Sequence, residues 1–265
     1  MLNLEFKIDE NIIARKIISR NHMPVELADY LWGKYNEDYK ILQRDFLNST
    51  INNSILKELK QHDCFKEEIE KAKQNLVRIK TNWEEKFAFI NNYLKSMLRV
   101  DFDLNLTCYI VSPGLNSGIN IGNNSFVWGH KKGIDDPNYD LVYLVHESLH
   151  SFFDKDNLNH TIIEKIADVE LSKFLNKILS GYSTHKFTQE EHIKIFPFWN
   201  LYMRRTKKEI EKEQKVFNIK YNIDKFEVYR EKLKNLNIFE FIDFLNVEKE
   251  KIQYSTQIKL EIVNL

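Results

Sequence analysis

The chain has 265 residues, of which 43% are hydrophobic and 29% are charged, an ordinary composition for a soluble protein. Lys+Arg and Asp+Glu number 39 each, so bulk charge argues against a nucleic acid or an acidic membrane as a partner. The two cysteines lie far apart in the sequence and no apolar run reaches about 18 residues, so we expect neither a disulfide framework nor a membrane span, and the expected compartment is the cytoplasm.

The N-terminal third of the chain begins with a short strand-like pattern and continues with helical patterns. Residues 2–8 alternate between apolar and polar side chains, which predicts a strand and is unlike a signal peptide. Helices are predicted from there to about residue 100, with an N-cap at Asp9, a start at Pro24 and a capping box that opens at Thr81. We interpret residues 1–100 as a helical scaffold and residues 101–265 as the core that carries function.

The pattern changes at about residue 101. Residues 104–111 predict a strand, and five of the seven glycines fall between Gly114 and Gly133. A glycine-rich strand before a metal-binding helix is typical of an edge strand that pairs with a peptide substrate, because the backbone can be approached closely. The alternative is a hairpin with loose turns and no role in substrate binding.

The sequence His146-Glu147-Ser148-Leu149-His150 is an H-E-x-x-H pattern within an apolar helical run. Asp136-Pro137 provides an N-cap and a first-turn proline, which predicts that the motif lies well inside a helix. Imidazoles at i and i+4 share one face and can bind one Zn²⁺, while Glu147 can act as general base toward a metal-activated water. The alternative is that both histidines are ordinary polar residues of a partly buried helix.

A second helix predicts the third ligand. It runs from Thr161 to a stop at Gly181, and its apolar face carries Glu164 and Asp168. Because a buried carboxylate needs a partner, the pattern favours Glu164 as a zinc ligand and Asp168 as the acceptor of a ring N–H from a ligand histidine.

Other assignments of these residues stay open at this stage. Thr161 and Glu164 also match a capping box, in which Glu164 would bind only the first helical amides, although Asn157 or Asn159 could start the helix earlier. Asp156 competes as third ligand, but the required glycine turn is replaced by Phe153. His160 and Asp154 are weaker candidates.

The C-terminal part returns to helices. Thr188 can cap one that breaks at Pro197, and residues 255–263 predict a strand that could pair with residues 2–8.

The H-E-x-x-H motif followed by Glu164-x-x-Ala167-Asp168 resembles the core of gluzincin metallopeptidases, in particular the small peptidase-MA-like group, over residues 137–179. The resemblance implies a zincin-like α+β fold that is predominantly helical. In such a fold, two antiparallel ligand-bearing helices lie beside a small mixed sheet whose edge strand lines the cleft. The resemblance also implies that a tyrosine or histidine from the C-terminal part stabilises the oxyanion. The candidates are Tyr182, His185 and Tyr202, with packing as the alternative for each.

These patterns together predict a zinc metallopeptidase that hydrolyses a peptide or protein substrate, with Glu147 as general base and His146, His150 and Glu164 as metal ligands. Two alternatives belong to other classes of protein. One is a metal-binding regulatory or interaction protein with little or no protease activity, and the other is a helical interaction protein in which the motif is accidental.

Overall fold

The computed structural model describes residues 1–44, 53–115, 117–131, 134–177, 182, 185, 188–217, 219 and 221–252. These residues are mostly helical and include a small mixed sheet of four strands, which confirms the prediction of a predominantly helical α+β protein. In the described part of the chain, none of the helices combines the length and apolar character needed to cross a membrane.

Twelve α-helices are described, and a π-helix at Lys165–Leu171 continues the seventh of them. Their bounds, in chain order, are α1 Glu10–Ser19, α2 Val25–Tyr35, α3 Glu37–Arg44, α4 Asn53–Gln61, α5 Asp63–Leu98, α6 Tyr139–Leu149, α7 Asn157–Glu164, α8 Ser172–Asn176, α9 Gln189–Tyr202, α10 Lys207–Val216, α11 Arg230–Leu233 and α12 Ile238–Ile252.

The four strands are β1 Leu2–Lys7, β2 Leu104–Ile110, β3 Ser117–Gly122 and β4 Ser125–Gly129. Their order in the sheet is β1-β2-β4-β3. The first three in this order are parallel, whereas β3 is antiparallel to β4. A tight turn joins β3 to β4, since Asn123 and Asn124 have φ values of 48° and 53°. Because β3 is the last strand in this order, it lies at a sheet edge among the described strands, as predicted.

The chain forms two compact units, each built from separate segments. We call Leu2–Phe87 with Asp103–Ser151 the sheet unit, and Met1, Ala88–Phe102 and Phe152–Leu265 the helical unit. In the sheet unit, apolar faces of α1–α5 form a buried core with residues that lie in the strands or next to them. Its members include Ile13, Ile17, Leu31, Leu59, Ala72, Val111 and Val127. Burial of these faces is what makes the short helices stable.

A cluster of aromatic side chains lies in the core of the helical unit. Tyr202 is fully buried and stacks on Phe241 with ring centroids 4.4 Å apart. Arg99 lies over the Tyr202 ring at 4.0 Å and donates to the main-chain carbonyls of Lys234 and Leu236 at 3.1 Å each. The arginine thus satisfies carbonyl groups where α11 ends.

Several predicted element boundaries were wrong. Thr81 does not open a helix, because α5 continues through it for 36 residues without glycine or proline. Pro197 does not break α9, whose burial of Phe198 and Trp199 offsets the proline's lost hydrogen bond. Asp9 does cap α1 as predicted, and β1 pairs with β2. The predicted strand over residues 255–263 lies outside the described residues.

Candidate metal centre

The helix that carries the H-E-x-x-H motif begins later and ends earlier than predicted. Asn138, rather than Asp136, is the N-cap of α6, and Asp136 Oδ1 accepts a hydrogen bond from the Asn138 amide at 2.8 Å. At the other end α6 stops at Leu149, so His150 is the C-cap and the motif does not lie well inside the helix. His150 keeps helical dihedral angles (φ −62°, ψ −18°), which preserves the shared face with His146.

The two motif histidines point the same ring nitrogen at each other. His146 Nε2 and His150 Nε2 are 3.2 Å apart. Two nitrogens bound at about 2.0–2.1 Å to one tetrahedral zinc lie roughly 3.3–3.4 Å apart, so the pair already has the spacing of ligands to one ion. His146 is buried and His150 is half-buried, which gives the pair one protected and one accessible side.

Glu147 lies against the backbone of the edge strand. Its side chain is 8% exposed. A Cβ atom at Gly118 of β3 would overlap Glu147 Oε1 and lie only 3.1 Å from Glu147 Cδ. Only glycine permits this contact, so the glycine-rich segment before the motif does bring a strand close to the predicted general base.

A buried aspartate that the sequence analysis did not single out holds α6 in the sheet unit. Asp140 is fully buried and accepts from Trp128 Nε1 at 2.8 Å, with His130 Nδ1 at 3.0 Å and Arg78 Nη1 at 2.7 Å. Trp128 also stacks on Tyr143 of α6, with ring centroids 5.5 Å apart. These contacts join α6 to β4 and α5.

The second predicted helix begins at Asn157, and its N-cap is Asp156. Asp156 Oδ1 accepts from the Asn159 amide at 2.8 Å, so the competing assignment of Asp156 as third metal ligand loses support. Thr161 lies within α7 and donates to the carbonyl of Asn157 at 2.7 Å. The capping-box alternative for Glu164 was therefore wrong, and the helix does start earlier.

Glu164 is fully buried and accepts hydrogen bonds from one later segment of the chain. Its Oε1 accepts from the His185 amide at 2.7 Å, and its Oε2 accepts from Thr188 Oγ1 at 2.5 Å. His192 Nε2 lies 2.6 Å from the same Oε2. Sequence reasoning missed Thr188 and His192, which follow Glu164 by 24 and 28 residues and have no local pattern that joins them to it.

The environment of Glu164 keeps it ionised. Burial alone would raise the pKa of the carboxyl, but hydrogen bonds from His192, Thr188 and the His185 amide outweigh it and lower the pKa to about 2. Burial, assisted by the charge of Lys165, lowers the pKa of His192 to about 4. At neutral pH a neutral imidazole therefore donates to a carboxylate anion.

The helix after Glu164 widens into a π-helix that carries Asp168. Asp168 is buried, and its main-chain carbonyl accepts from the Tyr182 amide at 2.7 Å. A π segment is frequent at functional sites. The predicted end of this helix was wrong: α8 stops at Asn176 because Lys177 adopts φ 54°, while the proposed glycine stop, Gly181, lies outside the described residues.

The three candidates for oxyanion stabilisation have different surroundings. Tyr202 is fully buried and donates to the carbonyl of Met97 at 2.6 Å, which favours the packing alternative. The Tyr182 hydroxyl accepts from Asn176 Nδ2 at 3.2 Å. His185 is exposed and its Nδ1 lies 2.5 Å from Glu164 Oε1.

The predicted site residues are thus distributed between the two units. His146, Glu147 and His150 belong to the sheet unit, whereas Glu164 and Asp168 belong to the helical unit. Within the sheet unit the two motif histidines have their Nε2 atoms 3.2 Å apart. Within the helical unit Glu164 is a buried anion surrounded by histidines.

Comparison with models of known protein families gave no match. Searches of curated proteins and of solved structures gave none either. The resemblance to gluzincins stays a prediction from the sequence motif.

Proposed function

We propose that the protein is a zinc-dependent hydrolase that cleaves peptide bonds. The observation that carries this proposal is the 3.2 Å spacing of His146 Nε2 and His150 Nε2, with Glu147 on the same helix. An imidazole pair of this spacing suits a borderline-soft divalent cation, and an adjacent carboxylate suits a proton acceptor.

The donor set fits zinc. His146 and His150 supply two imidazole nitrogens, and Glu164 is the proposed third ligand, for which its low pKa provides a carboxylate in the ionised form. A bound zinc ion would polarise the scissile carbonyl and lower the pKa of water. Asp168 is proposed to accept a ring N–H from a ligand histidine, which would fix the tautomer that leaves the other nitrogen free for metal.

Glu147 would move the protons. A carboxylate in this position can take a proton from the attacking water and then deliver it to the departing amine nitrogen. Its contact with Gly118 limits the positions that the side chain can occupy, which favours a fixed direction of proton transfer. The edge strand β3 offers main-chain groups that can pair with an extended peptide.

Substitution of Glu147 by glutamine tests this function. Glutamine keeps the shape of the side chain but cannot accept the proton, so we expect hydrolysis of a peptide library to fall by about 100-fold or more while zinc content stays at the wild-type level. Glu85→Gln, an exposed substitution on α5, is the matched control, and we expect it to keep full activity.

Two results would contradict the proposal. Wild-type turnover in Glu147→Gln would remove Glu147 from the reaction. Stoichiometric zinc in a wild-type protein that cuts no member of the library would favour a metal-binding regulatory protein instead.

A further inference from the structure

Within the helical unit, three potential metal ligands converge: His160, Glu164 and His185. Their ligand atoms all lie within 4.8 Å of one another. His160 Nε2 is 3.3 Å from His185 Nδ1 and 3.7 Å from Glu164 Oε1, and His185 Nδ1 is 2.5 Å from the same oxygen. His160 and Glu164 are one turn apart on α7, so the helix itself brings them together.

These distances are close to those around a tetrahedral zinc ion, where ligand atoms at about 2.0–2.1 Å from the metal lie roughly 3.3–3.4 Å apart. Two of the three separations need to change by a few tenths of an ångström at most. The shortest one is a hydrogen bond between His185 Nδ1 and Glu164 Oε1, and it would lengthen when both atoms bind a cation.

Glu164 has hydrogen-bond partners of the kind that orient metal ligands. Thr188 and His192 both form hydrogen bonds with Glu164 Oε2. Glu164 Oε1 instead faces His160 and His185. In the described part of the chain, each ionisable side chain that forms an ion pair with Glu164 is a histidine. A fully buried carboxylate is costly unless it is paired, hydrogen-bonded or bound to a metal.

The group is also open to solvent on one side. The side chain of His160 is 21% exposed and that of His185 is 51% exposed, whereas Glu164 is buried beneath them. A cation could thus enter between the two imidazoles, reach the carboxylate and keep water at its remaining position.

We propose that His160, Glu164 and His185 form a second cation site, within the helical unit, for a divalent transition metal of the zinc type. Mixed imidazole and carboxylate donors select such ions over Mg²⁺ or Ca²⁺, which prefer oxygen ligands. The site shares Glu164 with the proposed hydrolase. A carboxylate has about four lone-pair positions and can bind more than one cation, so the two proposals are tested through different histidines.

The experiment is to measure zinc bound per chain, by mass spectrometry of the metal, after equilibration of untagged full-length protein with Zn²⁺ and dialysis. We expect about two equivalents for the wild type and about one for His160→Gln/His185→Gln, because glutamine keeps polarity but loses the imidazole donors. His146→Gln/His150→Gln should also keep about one equivalent. His22→Gln/His62→Gln, outside both groups, should match the wild type.

The outcomes separate the two proposals. Wild-type zinc content in His160→Gln/His185→Gln would overturn the second site and leave the hydrolase standing. If the wild type binds only one equivalent of zinc, and each double substitution abolishes that binding, the second site is also overturned. Wild-type zinc content in His146→Gln/His150→Gln would count against the hydrolase alone. If the double variant fails to fold, as judged by circular dichroism, His185→Gln replaces it, and unchanged zinc affinity there would contradict the second site.

Discussion

At the scale of single residues, Gly118 fixes where the Glu147 carboxylate can lie. The Cβ of any other residue at position 118 would overlap Glu147 Oε1 and come within 3.2 Å of the Trp128 ring. The end of a glutamate side chain can rotate, so an added methyl group would displace the carboxylate more readily than it would displace the sheet.

Gly118→Ala should therefore separate catalysis from metal binding. We expect the variant to fold and to keep wild-type zinc content, but to lose about 100-fold in peptide hydrolysis, because a shift of roughly 1 Å in a catalytic group has that effect. Steady-state kinetics together with metal analysis checks this.

Gly33→Ala is the matched control for this substitution. Its Cβ would meet no atom within 4 Å in α2, so activity should be unchanged and stability should rise by about 0.5–1 kcal/mol. Equal turnover in Gly118→Ala and the wild type would mean that the contact with Glu147 has no catalytic consequence.

Local sequence patterns identified some residues of the candidate site and missed others. The i, i+4 relation of His146 and His150 is a property of one helix, so it could be predicted and the 3.2 Å spacing agrees with it. The hydrogen-bond partners of Glu164 could not be predicted, because Thr188 and His192 contact it from a distant segment of the chain. The competing cap at Thr161 failed because Asp156 caps α7 five residues earlier.

At the scale of elements, the position of α6 depends on one buried carboxylate. Asp140 lies in the first turn of α6 and contacts Trp128, His130 and Arg78. Trp128 lies on β4 and Arg78 on α5, so this residue connects the motif helix to two neighbouring elements.

Asp140→Asn should lower the free energy of unfolding by about 2 kcal/mol. The substitution weakens the hydrogen bonds and ion pair of a buried carboxylate, but the half-exposed side chain of Arg78 can be hydrated in the variant, which limits the loss. Urea unfolding of the variant and of Asp135→Asn, an exposed control, measures the difference. Equal midpoints for the two variants would show that the Asp140 contacts do not stabilise the fold.

Element types were predicted better than element boundaries, for a physical reason. The helical N-terminal region, the strand at β2 and the β3–β4 segment followed from hydrophobic periodicity and turn residues. The starts and stops at Thr81 and Pro197 failed because tertiary burial continued α5 and α9 across residues that favour a boundary in isolation.

At the scale of the whole molecule, the predicted ligands come from both compact units. The histidine pair and Glu147 lie in the sheet unit, and Glu164 lies in the helical unit. Sequence periodicity describes each helix separately, so it could place two residues on one face but could not assign the units to which the segments belong. The long helix α5 contributes residues to both units.

The central claim is that His146 and His150 bind one catalytic zinc ion. The most direct measurement is anomalous X-ray diffraction at the zinc absorption edge from crystals of the full-length protein grown with Zn²⁺. We expect a peak about 2.0–2.1 Å from His146 Nε2 and from His150 Nε2, with the two nitrogens moved from 3.2 Å to roughly 3.3–3.4 Å apart. Crystals that bind zinc elsewhere, with the two nitrogens still hydrogen-bonded to each other, would contradict the claim.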